Sequence, residues 1–318
     1  MCICKICKNS IGNSKYRVRE MMFGLREEFD YFQCANCGCL QIGTAPQDLS
    51  RYYPRDYFSL EKPKLSERLA LFSSLKQARL KHALGQKNAL GAVLSIIGGI
   101  PSIPEWVIKA HLRTDSRILD VGCGQGQRLL QLRRKGFSSL TGIDPHIASN
   151  IRYRCGVTVY KMQVEDITEH FDFVTLNHSF EHMSDPLNTL KKLRDITNPN
   201  GYVMIRIPIA DSFAWRNYGS DWFQIDAPRH LFLHTRKSME LLAVKAGFTI
   251  FDITYDSNEG QFICSEQYKR DIPLMDRRAY RKGRLSELFS MEEIRTFKEK
   301  AQYLNSIKEG DSACFYLR

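Results

Sequence analysis

Apolar and polar positions change rhythm near residue 116. From there short apolar runs alternate with longer segments whose apolar residues recur every three to four positions. The runs at 117–121, 139–143, 157–160, 173–176, 202–207 and 248–254 predict six strands in succession. Between them, 127–135 predicts a helix stopped by Gly136. Leu187, Leu190, Leu193 and Ile196 form an apolar stripe on a helix opened by Asp185-Pro186, which follows strand four. Asn198-Pro-Asn-Gly201 reads as a turn into strand five, and a further helix spans about 235–246 and ends at Gly247. Ser290-Met-Glu-Glu293 resembles a capping box, from which a charged helix runs to about residue 308, and 313–317 reads as a last strand. Strands alternating with helices imply a parallel sheet covered on both faces. The expected fold is α/β, doubly wound and Rossmann-like, with a mostly parallel seven-stranded sheet.

Upstream the pattern differs. Alternation across 16–32 suggests short strands, an aromatic run occupies 52–58, and 64–90 carries Leu65, Leu69, Phe72, Leu75 and Leu80 at helical spacing. Gly98-Gly99, Pro101 and Pro104 break the chain before a short helix over 104–111. The expected organisation is a cysteine-rich module at 1–45, a helical linker or cap at 46–113, and an α/β domain at 114–318 with a helical insert near 269–309. The segments 64–110 and 269–309 are expected to cover a pocket or form a subunit contact. The pattern does not separate these roles, nor fix an oligomeric state.

A chain of 318 residues, 43% hydrophobic, is long enough for one large domain and a small one. The formal net charge of +11 favours polyanions, but the basic residues are spread out, with only modest clusters at Arg133-Arg134-Lys135 and across 277–284, which reads first as a solvated surface. The most apolar segment, 89–100, is too short to span a bilayer and holds three glycines, and the first residues lack the apolar run of a secretion signal. No membrane span and a cytoplasmic location are expected.

Six of the ten cysteines fall within the first 39 residues. Cys4-Lys-Ile-Cys7 and Cys34-Ala-Asn-Cys37 are two C-x2-C pairs, 26 residues apart. Each pair makes a tight turn whose sulfurs reach one metal, and two such turns supply the four thiolates of a closed tetrahedral zinc site. Cys4, Cys7, Cys34 and Cys37 are thus the expected ligands of a structural zinc, with Cys2 and Cys39 as spares. Gly38 follows the second pair and supplies an unusual backbone angle.

The chemistry-bearing stretch is Ile118-Leu-Asp120-Val-Gly122-Cys123-Gly124-Gln-Gly126, which ends a strand and opens a helix. Its glycines let a ligand approach the backbone at the carboxyl edge of the sheet. A dinucleotide fingerprint would place its third glycine at Gln127; the pattern here is G-x-G-x-G behind an acid. A carboxylate is unfavourable beside a pyrophosphate and favourable beside ammonium and sulfonium groups. Asp144, at the end of strand two, is positioned to accept from both ribose hydroxyls.

These residues resemble the class I S-adenosylmethionine-dependent methyltransferases, whose first motif reads much like Leu119–Gly126. Phe171-Asp-Phe-Val174, Phe180-Glu-His-Met-Ser-Asp-Pro186 and Asn198-Pro-Asn-Gly-Tyr-Val203 resemble later segments of that family, so the resemblance covers about 115–254. More narrowly, the cysteine-rich start and Asp226-Ala-Pro-Arg-His230 are similar to bacterial methyltransferases associated with sugar and polysaccharide modification. The resemblance implies S-adenosylmethionine as cofactor. Asp120, Gly122 and Gly124 would line its methionine part, Asp144 its ribose, and Val164, Glu165 and Asp166 its adenine, with Cys123, Gly126 and Pro145 as further cofactor-binding residues. Asn177 and His178 would face the sulfonium.

In-line transfer to a hydroxyl needs positioning and a general base. His230 is the first candidate base and His178 the second. Arg229 is read as binding a phosphate or carboxylate on the acceptor, and Trp215, Tyr218 and Trp222 as a stacking wall. His182 is read as structural, packed with Glu181, and His234 as a helix-start residue. The expected acceptor is a small molecule or glycan, phosphate-bearing acceptors included. Two alternatives stand beside it. One is RNA, gripped by the zinc module and basic surface; against it, the related ribosomal RNA enzymes with an N-terminal zinc site include a closely spaced histidine, whereas the first here is His82. The other is a non-catalytic zinc-bearing binding module. The atom that is methylated is left open.

Overall fold

The computed structural model describes residues 2–54, 73–280 and 288–318. Part of the expected 64–90 helix and part of the 269–309 insert lie outside the described residues. The strands are β1 (Ser14–Arg19), β2 (Glu28–Gln33), β3 (Leu40–Ile42), β4 (Arg117–Val121), β5 (Ser139–Ile143), β6 (Ile151–Arg152), β7 (Thr158–Tyr160), β8 (Phe171–Asn177), β9 (Thr197–Pro208), β10 (Phe232–Leu233), β11 (Ile250–Tyr255) and β12 (Ser312–Leu317). The helices are α1 (Ser73–Ala83), α2 (Ala89–Gly98), α3 (Glu105–Lys109), α4 (Gln127–Lys135), α5 (Pro186–Ile196), α6 (Phe213–Tyr218), α7 (Arg236–Lys245), α8 (Gly260–Lys269) and α9 (Met291–Ser306).

The larger sheet has the order β11-β12-β9-β8-β4-β5-β7-β6, so it contains eight strands rather than the seven expected. The strand the sequence pattern passes over is β6, two residues long and antiparallel to β7, closed by a turn in which Tyr153 N–H donates to Val157 O at 2.9 Å. Two residues are too few to show a period. The pairings β4–β5, β4–β8 and β5–β7 are all parallel, as the βα rhythm requires. Residues 198–201, expected as a turn, instead belong to β9. Asn198 donates its side-chain amide to Asp172 Oδ1 at 2.7 Å, and a Cβ on Gly201 would lie 2.9 Å from Asp172 O, so this stretch is held flat beside the start of β8.

The described chain divides into two compact units: Met1–Tyr53 with His178–Leu187 and Arg206–Tyr316, and Pro54–Asn177 with Asn188–Ile205 and Leu317–Arg318. In the second unit β4 is buried from Ile118 to Val121, because helices cover both faces of a parallel strand. Helix α4 buries Leu129, Leu130 and Leu132, carries Arg133, Arg134 and Lys135 in its last turn, and stops at Gly136, whose φ of 116° suits only glycine.

The first unit has its own antiparallel sheet, in the order β1-β2-β3-β10. Its last strand comes from far along the chain: Phe232 pairs with Gln41 and Leu233 with Leu40. The cysteine-rich segment and residues 232–233 therefore share one sheet. Helix α7 starts at a capping box in which Thr235 accepts from Ser238 N–H, with His234 just ahead of it, as its helix-start reading expects. No helix among the described residues is long and apolar enough to cross a membrane.

Candidate functional site

In the second unit, β4 ends at Val121 and the chain turns through Gly122, Gly124 and Gly126 at φ 72°, 53° and 80°. Three left-handed positions in five residues explain the glycine spacing. Gly122 N–H and Cys123 N–H both donate to Ile143 O, at 2.9 and 3.2 Å, and Tyr153 Oη donates to Gln125 O at 2.6 Å, so the loop is tied to β5 and to the β6–β7 turn. Asp144 joins the tie: its Oδ2 accepts from Gly124 N–H and its Oδ1 from His146 N–H, each at 2.8 Å. Each oxygen keeps a further lone pair for a hydroxyl.

Asp120 is buried, 3% exposed. Burial pushes its carboxyl up to about 6, against the pull of Arg128 and a hydrogen bond from Asn177, while Asp144 adds to the rise. At the end of β8, Asn177 donates Nδ2–H to Thr175 Oγ1 at 2.7 Å, and its Oδ1 is buried with no hydrogen-bond partner. A buried acid of raised pKa and an orphan carbonyl oxygen in the same unit suit a ligand bringing a cation and N–H donors.

Other expected contacts divide by role. Gly126 caps α4, and a Cβ there would lie 2.8 Å from Val159 Cγ2, so this glycine is also required by packing. Cys123 faces the sheet: a Cβ on Gly142 would meet Cys123 Sγ at 2.5 Å and Leu129 Cδ1 at 2.7 Å. Gly142, which the motif reading missed, is thus what lets the loop lie down on β5. Gly142→Ala is expected to cost about 1–3 kcal/mol in denaturant unfolding, and a Cys123→Ala background to recover part of that loss. Pro145 is half-buried beside Asp144, and Val164–Asp166 form a short 3-10 turn with Val164 buried and both acids exposed.

The first unit holds a histidine–carboxylate cluster. His178 follows Asn177 directly and sits at φ 51°, a sparsely populated conformation for a side-chain-bearing residue. Its Nδ1 lies 3.5 Å from Glu181 Oε1, and its Nε2 contacts the Arg206 guanidinium. Glu181 is fully buried. Burial raises its pKa, but the close His178 Nδ1 and the fields of His230, His182 and His178 outweigh that and bring it to about 2. His230, the first base expected, is 6% exposed, with Nδ1 on Gln224 O at 2.7 Å and Nε2 3.8 Å from both Glu181 Oε1 and Asp226 Oδ2. Burial, then His182, depress it to about 4 despite Asp226 and Glu181, so it is a weak base near neutral pH. His182 Nδ1 lies 2.8 Å from Arg229 O and 3.2 Å from Tyr53 Oη.

Two readings of this region are corrected. Arg229 does not reach out to an acceptor: its side chain is wholly buried, with Nη2 2.9 Å from Glu20 Oε1 and 2.6 Å from Asp226 Oδ1, Nε 3.0 Å from Asp226 Oδ2, and Nη1 donating to Tyr52 O. Trp215, Tyr218 and Trp222 are core, not a stacking wall. Trp222 is 1% exposed and donates Nε1–H to Asp311 Oδ2 at 3.0 Å, while Trp215 packs edge-on against Tyr16.

At the N-terminus, Cys4, Cys7, Cys34 and Cys37 bring their sulfurs within 4.8 Å of one another, a set able to hold a metal ion. The two turns are copies. Lys8 N–H donates to Cys4 O at 2.9 Å and Gly38 N–H to Cys34 O at 2.8 Å, with Lys8 and Gly38 both left-handed at φ 64° and 73°. Cys7 N–H and Cys37 N–H each point at the first sulfur of their own turn, at 3.5 Å. Cys4–Cys37 and Cys7–Cys34 are 3.6 and 3.4 Å apart, close to the edge of about 3.8 Å that zinc–sulfur bonds set in a tetrahedron. The spare Cys39 is buried, its Sγ 3.9 Å from His234 Nδ1.

A parallel sheet, a glycine loop and acids at the ends of two adjacent strands define a nucleotide-type cofactor domain. Residues 99–253 match the family model described as a methyltransferase domain. The chain is 29% identical over 120 residues to EEF1A lysine methyltransferase 2 of Danio rerio, covering 31% of this chain and 51% of that protein. It is 32% identical over 105 residues to a ubiquinone biosynthesis O-methyltransferase of Neisseria meningitidis serogroup C, covering 27% and 42%. The chain thus spans about half or less of the length of these relatives. A solved structure of a SAM dependent methyltransferase from Archaeoglobus fulgidus is 17% identical, covering 85% of this chain and 99% of that one, with a TM-score of 0.41.

Proposed function

We propose that this chain transfers a methyl group from S-adenosylmethionine to a hydroxyl of a small-molecule or glycan acceptor. The observation that carries the cofactor assignment is the pairing of buried Asp120 with the orphan Asn177 oxygen beside the glycine loop. Asp120, Asn177 and the backbone of Gly122, Cys123 and Gly124 would hold the methionine end, and Asp144 the ribose. Val164, Glu165 and Asp166 would flank the adenine. When bound, the cofactor supplies an already activated methyl group, so the chain's task is alignment and proton removal. His178, next in the chain after Asn177, would be the base: partly exposed, it turns Nδ1 to Glu181, which leaves Nε2 to take the acceptor's proton in place of its contact with Arg206. Glu181 positions it. An O-methyltransferase among the relatives supports oxygen as the methylated atom, and among the described residues the metal-ligand cluster at the N-terminus is four cysteines with no histidine, which weighs against the RNA reading. The four thiolates hold zinc as a structural ion. The turn geometry and the hydrogen bond from Gln41 Nε2 to Cys4 Sγ at 2.9 Å favour the charged sulfur.

Calorimetric titration with S-adenosylhomocysteine tests the cofactor assignment. Asp144→Ala is expected to weaken binding about 10- to 100-fold, since hydrogen bonds to a charged group contribute about 1.5–3 kcal/mol each. Undiminished binding by this variant would remove Asp144 from the site. The acceptor follows from screening nucleotide sugars against RNA, and methylation of RNA alone would overturn the acceptor proposed.

The pH dependence is fixed by Asp120. Its folded pKa of about 6 lies above that of an unfolded aspartate, so ionising it costs the ligand-free fold stability as pH rises from about 4 to about 6. A bound ammonium reverses that cost. Binding of S-adenosylhomocysteine is therefore expected to strengthen about tenfold between pH 5 and pH 7, with proton release near pH 5. A flat profile over this range would show that Asp120 does not face the ligand's charge.

A further inference from the structure

Glu181, His182 and His230 each present one ligand atom within 4.8 Å of the others. Three observations make this more than a chance cluster. Both Glu181 carboxylate oxygens are buried with no hydrogen-bond partner, although the residue is fully inaccessible to solvent. Oε1 is faced by His178 Nδ1 at 3.5 Å and by His230 Nε2 at 3.8 Å. Second, both imidazoles are held the same way. His182 Nδ1 lies 2.8 Å from Arg229 O and His230 Nδ1 2.7 Å from Gln224 O, so each Nδ1 carries the proton and each Nε2 keeps its lone pair. A backbone carbonyl on one ring nitrogen is the usual support of a metal-binding histidine. Third, the nearest other acid, Asp226, is already committed to Arg229 at 2.6 and 3.0 Å, and so does not compete for an ion.

We propose that Glu181, His182 and His230 bind one divalent first-row transition cation, separate from the ion held by the four cysteines. Two imidazoles and one carboxylate are a ligand set zinc accepts while keeping an open position, and one that also suits iron(II). Ligand atoms on a tetrahedral zinc of this type are about 3.3 Å apart, so the 3.8 Å between His230 Nε2 and Glu181 Oε1 closes by a fraction of an ångström. His182 is the half-exposed member, and it gives the ion its side of entry. The open position would take an oxygen ligand, water or an alkoxide-forming hydroxyl.

The test is metal stoichiometry on the full chain, metal-stripped and reloaded with cobalt(II). The cysteine site reports through thiolate-to-cobalt charge-transfer absorption, which nitrogen and oxygen ligands do not give. The first equivalent is expected to bring that band. A second is expected to add only weak visible absorption. In His230→Ala and in the near-isosteric Glu181→Gln the second equivalent is expected to be lost while the thiolate band persists at full strength, which also reports that the first unit remains folded. Saturation of the wild-type chain at one equivalent would overturn the proposal. So would a second equivalent that survives both substitutions.

Discussion

Replacing Arg229 by methionine is expected to destabilise the protein by about 3–5 kcal/mol, the usual loss when one partner of a buried ion pair is removed. Methionine fills much the same volume, so the loss is electrostatic. It strands Glu20, which is fully buried, and Asp226, whose side chain is 8% exposed, and removes the donor to Tyr52 O. Glu20 keeps the backbone N–H groups of Phe23 and Leu25, each at 3.0 Å, so Asp226 suffers most. Burial alone would raise the Asp226 pKa; the charge and hydrogen bonds of Arg229 overcome this and hold it below the ordinary carboxylate range. In the wild type that lowered pKa contributes stability above the unfolded value, lost as pH falls through the folded one. The variant has no such contribution, so its deficit should narrow as the pH is lowered. Arg229→Lys should recover only part, because an ammonium cannot span both carboxylates and the Tyr52 carbonyl. Urea unfolding at neutral and acidic pH measures both effects. A neutral-pH loss below about 1 kcal/mol would mean the network contributes no more than a surface pair.

The second large effect concerns the proposed base. His178→Ala is expected to lower kcat by about 10²- to 10⁴-fold, with S-adenosylhomocysteine affinity nearly unchanged. Glu181→Gln, which leaves His178 in place but removes the charge behind its Nδ1, should give a smaller loss. A His178 variant with full kcat would remove proton abstraction from this residue. A His178 variant that lost cofactor affinity in proportion to kcat would assign the residue to binding.

What was legible in the sequence was local. Helix α4 is bounded by glycines a few residues from its apolar stripe, the Ser290–Glu293 capping box closes within four residues, and the paired cysteine turns each close within five. The glycine loop and Asp144 were readable because parallel strands of similar length bring successive carboxyl ends to one edge. What failed was long-range. Nothing near Arg229 announces Glu20, 209 residues earlier, so an exposed-looking Pro-Arg-His motif turned out to be a buried ion pair. The aromatic run around Trp222 carried no sign of Asp311, and β6 and β10 are too short to show a period. Gly142 could have been found: a small residue opposite a loop that lies down on its strand is a packing requirement, though not a motif.

The pairing of β3 with β10 bears on how the chain is made. Thr235 Oγ1 donates to Cys37 O at 2.6 Å across 198 residues, and Lys237 and Lys245 reach the carbonyls of Asn36 and Ile6 from the same helix. During synthesis the paired cysteine turns emerge first, with the edge of β3 unprotected until residues 232–233 follow. At ordinary elongation rates of about 5–20 residues per second that interval lasts on the order of 10 s or more. An ion captured early by the four thiolates would hold the turns in register through this wait. A chain starved of metal would instead present a bare strand edge and reactive sulfurs to its neighbours, and its yield of folded protein should depend on metal supply during translation more than on metal added afterwards.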